Sequence, residues 1–357
     1  MEKFKVLNAN IPEEYQQWLD IWESWDGKEV FAHPGYVSLY KKQSEPYCAI
    51  LNLSESSILF PFCLRPIDKA LSDECFYDII TPYGFGDIYV IGDGLPEKWL
   101  KLFYKKFNAW ARQYKVISGF IRFNLFSRSI RFYDGDVEYN NYNIVCNLKK
   151  GEPILWEEYK LKVRRAVRKA LRSGLIIEKD HTGERLDSFL NLYHSTMLRL
   201  NADQKYLISR SYFENLHQLP KGTYTYFYVK KGEKDIAAIL VLISDNSLYY
   251  FLGGSDKEYL RFRPNELLHH EIIKWGIKMK KRHYILGGGF SKDDSLFHFK
   301  KGFSPDGIRP FFIGKKIYNA ELYQSLVQKR NELTNDLVGM ENEFFPQYRI
   351  AKEFYLI

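Results

Sequence analysis

The order of local patterns repeats along this chain, and that repetition limits its fold more than any single motif does. In the first half, CAILNL (48–53) and SILFPFCL (57–64) read as a strand pair around the polar turn SES. A third strand, CFYDII (75–80), runs into the loop TPYGFGD (81–87). The period then changes: from Pro96 to about Tyr114, Trp99, Leu102, Phe103, Phe107 and Trp110 share one helical face, with proline in the first turn. VISGFIRF (116–123) returns to a strand pattern. The second half repeats the series with strands TYTYFYV (223–229), IAAILVLI (236–243) and LYYFL (248–252), followed by the loop GGSDKEYLRFRP. A helix from Asn265 to about Lys281 comes next, with Leu268, Ile272, Trp275 and Met279 at helical spacing, and HYIL (283–286) closes the unit. Both halves read β-β-β-loop-α-β, which predicts a tandem duplication of one unit in an α/β (α+β) protein.

Composition supports two folded units. The chain has 357 residues, enough for two domains with a core each, and 45% hydrophobic with 27% charged residues excludes a disordered chain. A formal charge of +8 favours anionic partners such as nucleotide-linked sugars, coenzyme A, tRNA or acidic head groups, although solubility alone also accounts for it. Cys48, Cys63, Cys75 and Cys146 show no C-x-x-C spacing, which points to reduced thiols rather than a zinc site or a disulfide framework. The N-terminus has no apolar signal-peptide region, and no stretch approaches the ~18 apolar residues of a membrane span. The expectation is a cytoplasmic protein, with peripheral contact at the inner membrane face left open.

Chemistry must come from loops and charges. G-x-S-x-G, H-E-x-x-H, Walker A and G-x-G-x-x-G are all missing, and the HHE at 269–271 lacks the second histidine of a zinc helix, so no metal is expected. Three glycine loops follow strand ends: TPYGFGD, LGGSD (252–256) and LGGGFSKDD (286–294). They are read either as tight turns or as backbone that approaches a ligand closely. In EEYKLKVRRAVRKALRSG, Val163, Ala166, Val167, Ala170 and Leu171 form an apolar helix face. Lys160, Arg164, Arg168 and Arg172 fall on the other side, and Gly174 stops the helix. This basic side is expected to face solvent near a cleft. A helix at Leu186–Arg199, another near 320–337 and a terminal strand IAKEFYLI complete the reading. Lys300 and Lys301 sit among Phe297, Phe299 and Phe303, where a lysine can be held against developing negative charge.

Several segments, in order, resemble the FemAB family of aminoacyltransferases. They are HPGYVSLYKK (33–42), TPYGFGD, KVRRAVRKALRSG, YHSTMLRLNADQKYLISRSYF (193–213), LGGS, RPNELLHHEIIKWG and LGGG…FKKGF. The resemblance covers nearly the whole chain and implies two tandem GNAT-like domains, each a mixed, mostly antiparallel sheet flanked by helices. The first would span 1–150 and be completed by 318–357, its last strand being about 350–357; the second would span 151–317. The family's long coiled-coil arm is absent, as is the Q/R-x-x-G-x-G/A loop of ordinary GNAT enzymes. The implied activity is transfer of an aminoacyl or acyl group to an amine of a nucleotide- or lipid-linked precursor of peptidoglycan or surface polysaccharide. Aminoacyl-tRNA or acyl-CoA would be the donor, with no tightly bound cofactor. By the same resemblance, Lys300 and Asp87 are catalytic, and Lys41 or Lys42, Tyr83 and Arg210 hold the acceptor. Arg164, Arg168, Gly253, Gly254, Ser255, Asn265, Gly288 and Gly289 hold the donor. A non-catalytic RNA- or anion-binding module on the same fold is the alternative.

Overall fold

The computed structural model describes residues 2–42, 44–54, 56–92, 97–289, 291, 293–334 and 345–349. Its strands are β1 (Lys3–Asn8), β2 (Glu45–Asn52), β3 (Ser57–Pro66), β4 (Tyr77–Ile80), β5 (Tyr89–Ile91), β6 (Val116–Arg122) and β7 (Asp136–Asn147). They continue as β8 (Ile176–Asp180), β9 (Tyr224–Lys231), β10 (Lys234–Ile243), β11 (Ser247–Ser255), β12 (His283–Gly287) and β13 (Ile308–Ile317). The helices are α1 (Pro12–Glu23), α2 (Pro34–Val37), α3 (Glu97–Gln113), α4 (Glu152–Glu158) and α5 (Leu161–Arg172). After them come α6 (Leu186–Arg199), α7 (Arg210–Leu216), α8 (Pro264–Lys278), α9 (Ser295–Lys301) and α10 (Ala320–Thr334). The chain divides into two compact units. The first holds Met1–Asp26, Phe31–Asn140 and Phe311–Ile357, the second Gly27–Val30 and Asn141–Pro310.

The two units repeat one strand order. In the first it is β1-β2-β3-β4-β6-β13, with β5 paired to β3; in the second it is β8-β9-β10-β11-β12-β7. Every neighbouring pair is antiparallel except one in each unit, β4 with β6 and β11 with β12. Each parallel pair is joined through a helix, α3 or α8, as a parallel crossover requires. The architecture is a mixed, mostly antiparallel sheet flanked by helices in each unit.

Side-chain alternation fixes which helix covers which face. In β9, the Phe227 ring meets Trp275 of α8 at 5.4 Å, while the next residue back, Tyr226, meets Phe189 of α6 at 4.9 Å. One face of the second sheet is therefore buried under α8 and α5, in a core with Val163, Val167, Leu268, Ile272 and Ile273. The other face lies under α6. In the first unit α3 buries Leu100, Phe103, Tyr104, Phe107 and Ala111, and the Phe107 ring packs 5.2 Å from Phe60 and 5.5 Å from Phe62. A fully buried ring of this size contributes roughly 1.5–3 kcal/mol.

The structure corrects the sequence reading in several places. The outer strands β1 and β8, the short β5, and the strands β7 and β13 beside the parallel pairs have no counterpart in that reading. The strand beside β6 is β13, and the expected strand at 350–357 lies outside the described residues, as does Pro96. The unit boundaries fall inside β7 and β13 rather than at 150 and 317.

Candidate active site

The second unit opens a wedge in its own sheet. β11 and β12 pair in parallel over Ser247–Tyr249 and His283–Ile285 only. Beyond Tyr249, β11 continues to Ser255 with β10 as its strand partner, and β12 turns off at Gly287, where φ is +78°. α9 follows a few residues on. Asp294 stands just before it: its carboxylate accepts from Phe297 N at 2.7 Å and Ser291 N at 2.9 Å, capping α9. The cap directs Lys300, in the last turn of α9, back toward the wedge.

Lys300 is 5% exposed. Its Nζ donates to Gly288 O at 2.6 Å and stands 5.1 Å from the centroid of the Tyr250 ring on β11. The aromatic partner is thus Tyr250 rather than the expected frame of Phe297, Phe299 and Phe303; Phe297 and Phe303 lie in the core. Burial pushes the Lys300 ammonium down to about 7, and Asp294 opposes the shift. Behind it, His269 is buried, with Nδ1 2.8 Å from Tyr284 Oη and its ring beside Tyr250, Phe299 and Phe303. Burial, and then the nearby Lys300 charge, hold that imidazole down to about 3, so it is neutral. Lys300 is a cation whose proton is loosely held, beside the stretch of β11 that β12 leaves behind.

A cleft of about 660 Å³ adjoins α9. Leu161, Val163 and Ala166 of α5 and Phe299 form its apolar part; Lys162, Arg165, Lys169 and Arg263 supply positive charge, and Glu266 negative charge. Arg263 precedes α8 at φ +63°, which turns the chain into the helix, and it pairs loosely with Glu266 at 3.6 Å. The basic side of α5 does border a cleft, but through other residues than expected. Arg164 pairs with Glu157, and the Arg168 guanidinium stacks 5.4 Å over Trp156. Lys162, Arg165 and Lys169 are the lining cations because they flank the apolar stripe, while Arg164 and Arg168 point toward α4.

Other expected donor residues gather at the end of β11. Asn265 Nδ2 donates to Ser255 Oγ at 3.3 Å, and Ser255 N donates to Thr196 Oγ1 of α6 at 2.9 Å. Gly254 has a packing role as well: a Cβ there would lie 2.3 Å from Leu192 O, so only glycine lets α6 sit against the strand. Gly253 lies in the ladder opposite Ile239. Gly288 carries the carbonyl that Lys300 grips, and Gly289 lies against the Asp294 carboxylate.

The remaining expected residues are dispersed. Asp87 belongs to the first unit, is 3% exposed, and accepts from Ser129 Oγ at 2.6 Å and from Ile88 N at 2.7 Å. Burial raises its carboxyl to about 6, although these donors favour the anion. It ties its own loop to the segment that follows β6. Tyr83 is half-buried, and its carbonyl accepts from Tyr36 Oη at 2.8 Å. Lys41 and Lys42 are exposed at the surface. Arg210, at the start of α7, is engaged with Asp187 and lies 3.8 Å from Glu214.

Residues 158–301 match the acetyltransferase (GNAT) domain family. The match lies within the second unit, whose fold is that of a GNAT domain. No curated protein matches the sequence. Among solved structures, FemX superposes with a TM-score of 0.66 at 15% identity, covering 87% of this chain and 97% of its own. L-PGS from Bacillus licheniformis superposes at 0.56 with 12% identity, over 90% and 96% of the two chains. A conserved protein of unknown function from Bacteroides thetaiotaomicron gives 0.56 at 11% identity, over 88% and 99%. The chain has the FemX-like fold of two tandem GNAT units. Among the described residues no helix is long and apolar enough to cross a membrane, and no group of side chains is arranged to hold a metal ion.

Proposed function

We propose that this acyltransferase moves an aminoacyl or acyl group from aminoacyl-tRNA or acyl-CoA onto an amine of a nucleotide- or lipid-linked cell-envelope glycan precursor. The observation that carries the reading is Lys300, an amine buried at the point where β11 and β12 part and next to a cleft lined by cations. Lys162, Arg165, Lys169 and Arg263 would hold the donor phosphates. The ester or thioester carbonyl would enter the wedge. The acceptor nitrogen attacks it as a free amine, a C–N bond forms, and the carbonyl electrons move onto oxygen. The Lys300 ammonium and N–H groups along the β11 edge stabilise that oxyanion. Its collapse breaks the C–O or C–S bond, and the amine proton leaves with the departing alcohol or thiol. No covalent enzyme intermediate is needed, because alignment of two bound reactants can supply ~7–11 kcal/mol. FemX gives this reading its fold, while the donor and acceptor are argued from the charge of the cleft. The test is incubation of the purified protein with charged tRNA or acyl-CoA and a panel of amino-sugar nucleotides, read by mass spectrometry. An added acyl mass on an amino sugar, dependent on Lys300, is expected. Donor binding without any transfer across the panel would favour an anion-binding module instead.

A further inference from the structure

The setting of Lys300 suits attack on a carbonyl as well as stabilisation of charge. Among the described residues it is the buried lysine, and its hydrogen bond is the 2.6 Å contact to Gly288 O. An ammonium has three N–H groups to satisfy, so one carbonyl serves it poorly as a cation. As a neutral amine it would keep one N–H on Gly288 O and still present a lone pair. Glycine keeps the space beside it clear. Gly287 has φ +78°, and a Cβ there would lie 3.4 Å from Lys300 Nζ and 3.7 Å from Asn143 Oδ1 of β7, so a larger side chain would crowd the amine.

The groups that face Nζ do little to hold its proton. Tyr250 of β11 stands 5.1 Å away, His269 of α8 is neutral, and Asn143 of β7 is an uncharged amide. Asp294, ahead of α9, favours the charge but is engaged by the N–H groups of Ser291 and Phe297. Burial outweighs it and brings the ammonium to about 7. Other lysines that burial pushes down are anchored more firmly. Lys281 Nζ donates to Ser244 O at 2.7 Å and to Asp245 O at 3.0 Å, and Lys316 pairs with Asp134 at 2.5 Å.

We propose that Lys300 is a self-modification site: its Nζ takes the acyl group of an ester or thioester donor when no acceptor amine is present. This rests on the reading of the wedge as the place where the donor carbonyl arrives. The Nζ lone pair attacks the carbonyl carbon, and a C–N bond forms. The C–O or C–S bond breaks, and the proton shed by nitrogen leaves on the alcohol or thiol. The product is an amide, which carries no charge, so an acylated chain has lost its cation for the oxyanion. The acceptor amine and Lys300 thus compete for one carbonyl.

The test is incubation of the full chain, without acceptor, with acetyl-CoA and separately with the acetyl thioester of N-acetylcysteamine, which has no phosphate. Peptide mass spectrometry reads the acylation rate at each lysine. At least one thioester should label Lys300 at pH 7.5 about tenfold or more faster than Lys41, Lys42 or the neighbouring Lys301, because a solvated lysine is only about a thousandth neutral there. The Lys300 rate should rise about tenfold from pH 6 to pH 8 and then level off, whereas a solvated lysine gains about tenfold per unit up to about pH 10. Lys300→Arg should remove this label and leave the slower ones. Labelling of Lys300 no faster than of the other three with both thioesters, or a rate that never levels, overturns the proposal. Transfer to an amino sugar with Lys300 unlabelled in the acceptor-free incubation also overturns it and leaves the acyl-transfer reading standing. Label on Lys300 without transfer across the amino-sugar panel supports the proposal and sinks the choice of acceptor instead.

Discussion

In the first unit, β4 and β6 part after Ile80 and Phe120, and the gap is laced shut: Thr81 N donates to Phe120 O, Gly86 N to Arg122 O, and Arg122 back to Thr81 through both backbone and side chain. In the second unit, β11 and β12 part after Tyr249 and Ile285, and no comparable lacing closes the gap among the described residues. A lysine from α9 reaches into it instead. The strand order is the same in both units, so the difference lies in the loops beyond the parallel pair. The loop TPYGFGD, which follows β4, lies along β6 and uses backbone donors there. The shorter connection through Arg263 and α8 leaves the β11 edge facing the wedge. The two frames thus differ: one is laced across by hydrogen bonds, the other stands open beside Lys300.

The sharpest way to break this comparison is to remove the lysine. Lys300→Met should lower kcat by about 10²–10³, the cost of one oxyanion donor, with Lys301→Met as the neighbouring control close to native turnover. If Lys301→Met were the damaging change, the open wedge would not be the reaction centre. A pH profile refines the point. With its pKa pushed down to about 7, Lys300 loses its proton as pH rises through neutrality, so kcat should fall above about 7. In Lys300→Arg that falling limb should disappear from the accessible range, since guanidinium does not titrate there.

Removing the cleft charges should cost less. The double change Arg165→Ala, Lys169→Ala should raise donor KM by roughly tenfold, with little effect on kcat, as loss of uniform binding does. The salt dependence sharpens it further: a tRNA donor should lose about 0.7–0.9 log units of affinity per log unit of salt for each phosphate neutralised, and the double variant should flatten that slope.

Stability gives the next contrast. Gly254→Ala should destabilise the protein by about 1–3 kcal/mol in chemical denaturation, because the new methyl meets the α6 backbone rather than a movable side chain. Lys300→Met is expected to act differently from an ordinary core change. Between pH 7 and 10.5 the unfolded chain holds a proton that folded Lys300 has released, so stability rises with pH across that window. The methionine variant should therefore melt no lower than the native protein at pH 6, and its relative standing should decline toward pH 10. The smallest effect belongs to Arg210→Met: its partners are exposed carboxylates, and such pairs contribute about 0–1 kcal/mol.

Much of this contrast was legible in the residues. The strands next to each parallel pair are continuous apolar runs, such as IAAILVLI, and α3, α6 and α8 show clear helical spacing. The outer strands were harder. β7 is exposed over Asp136–Tyr139 and β13 contains Pro310, so neither presents an alternating pattern. Lys300 is singled out in the sequence by its place after a glycine loop, but its burial is not legible there, because Tyr250 and Gly288 meet it only in the fold. That Arg164 and Arg168 turn to Glu157 and Trp156 was not legible either, because helical spacing gives a face but not its neighbour.

The position of β13 also bears on how the protein is made. Its place is beside β6, yet almost two hundred residues separate the two along the chain. During synthesis the second unit has all its strands once residue 310 has emerged, whereas the first still shows an unpaired edge at β6. The half that is translated first is finished last. Until then it offers a hydrogen-bonding edge to any passing strand, the situation that invites misassembly on the ribosome.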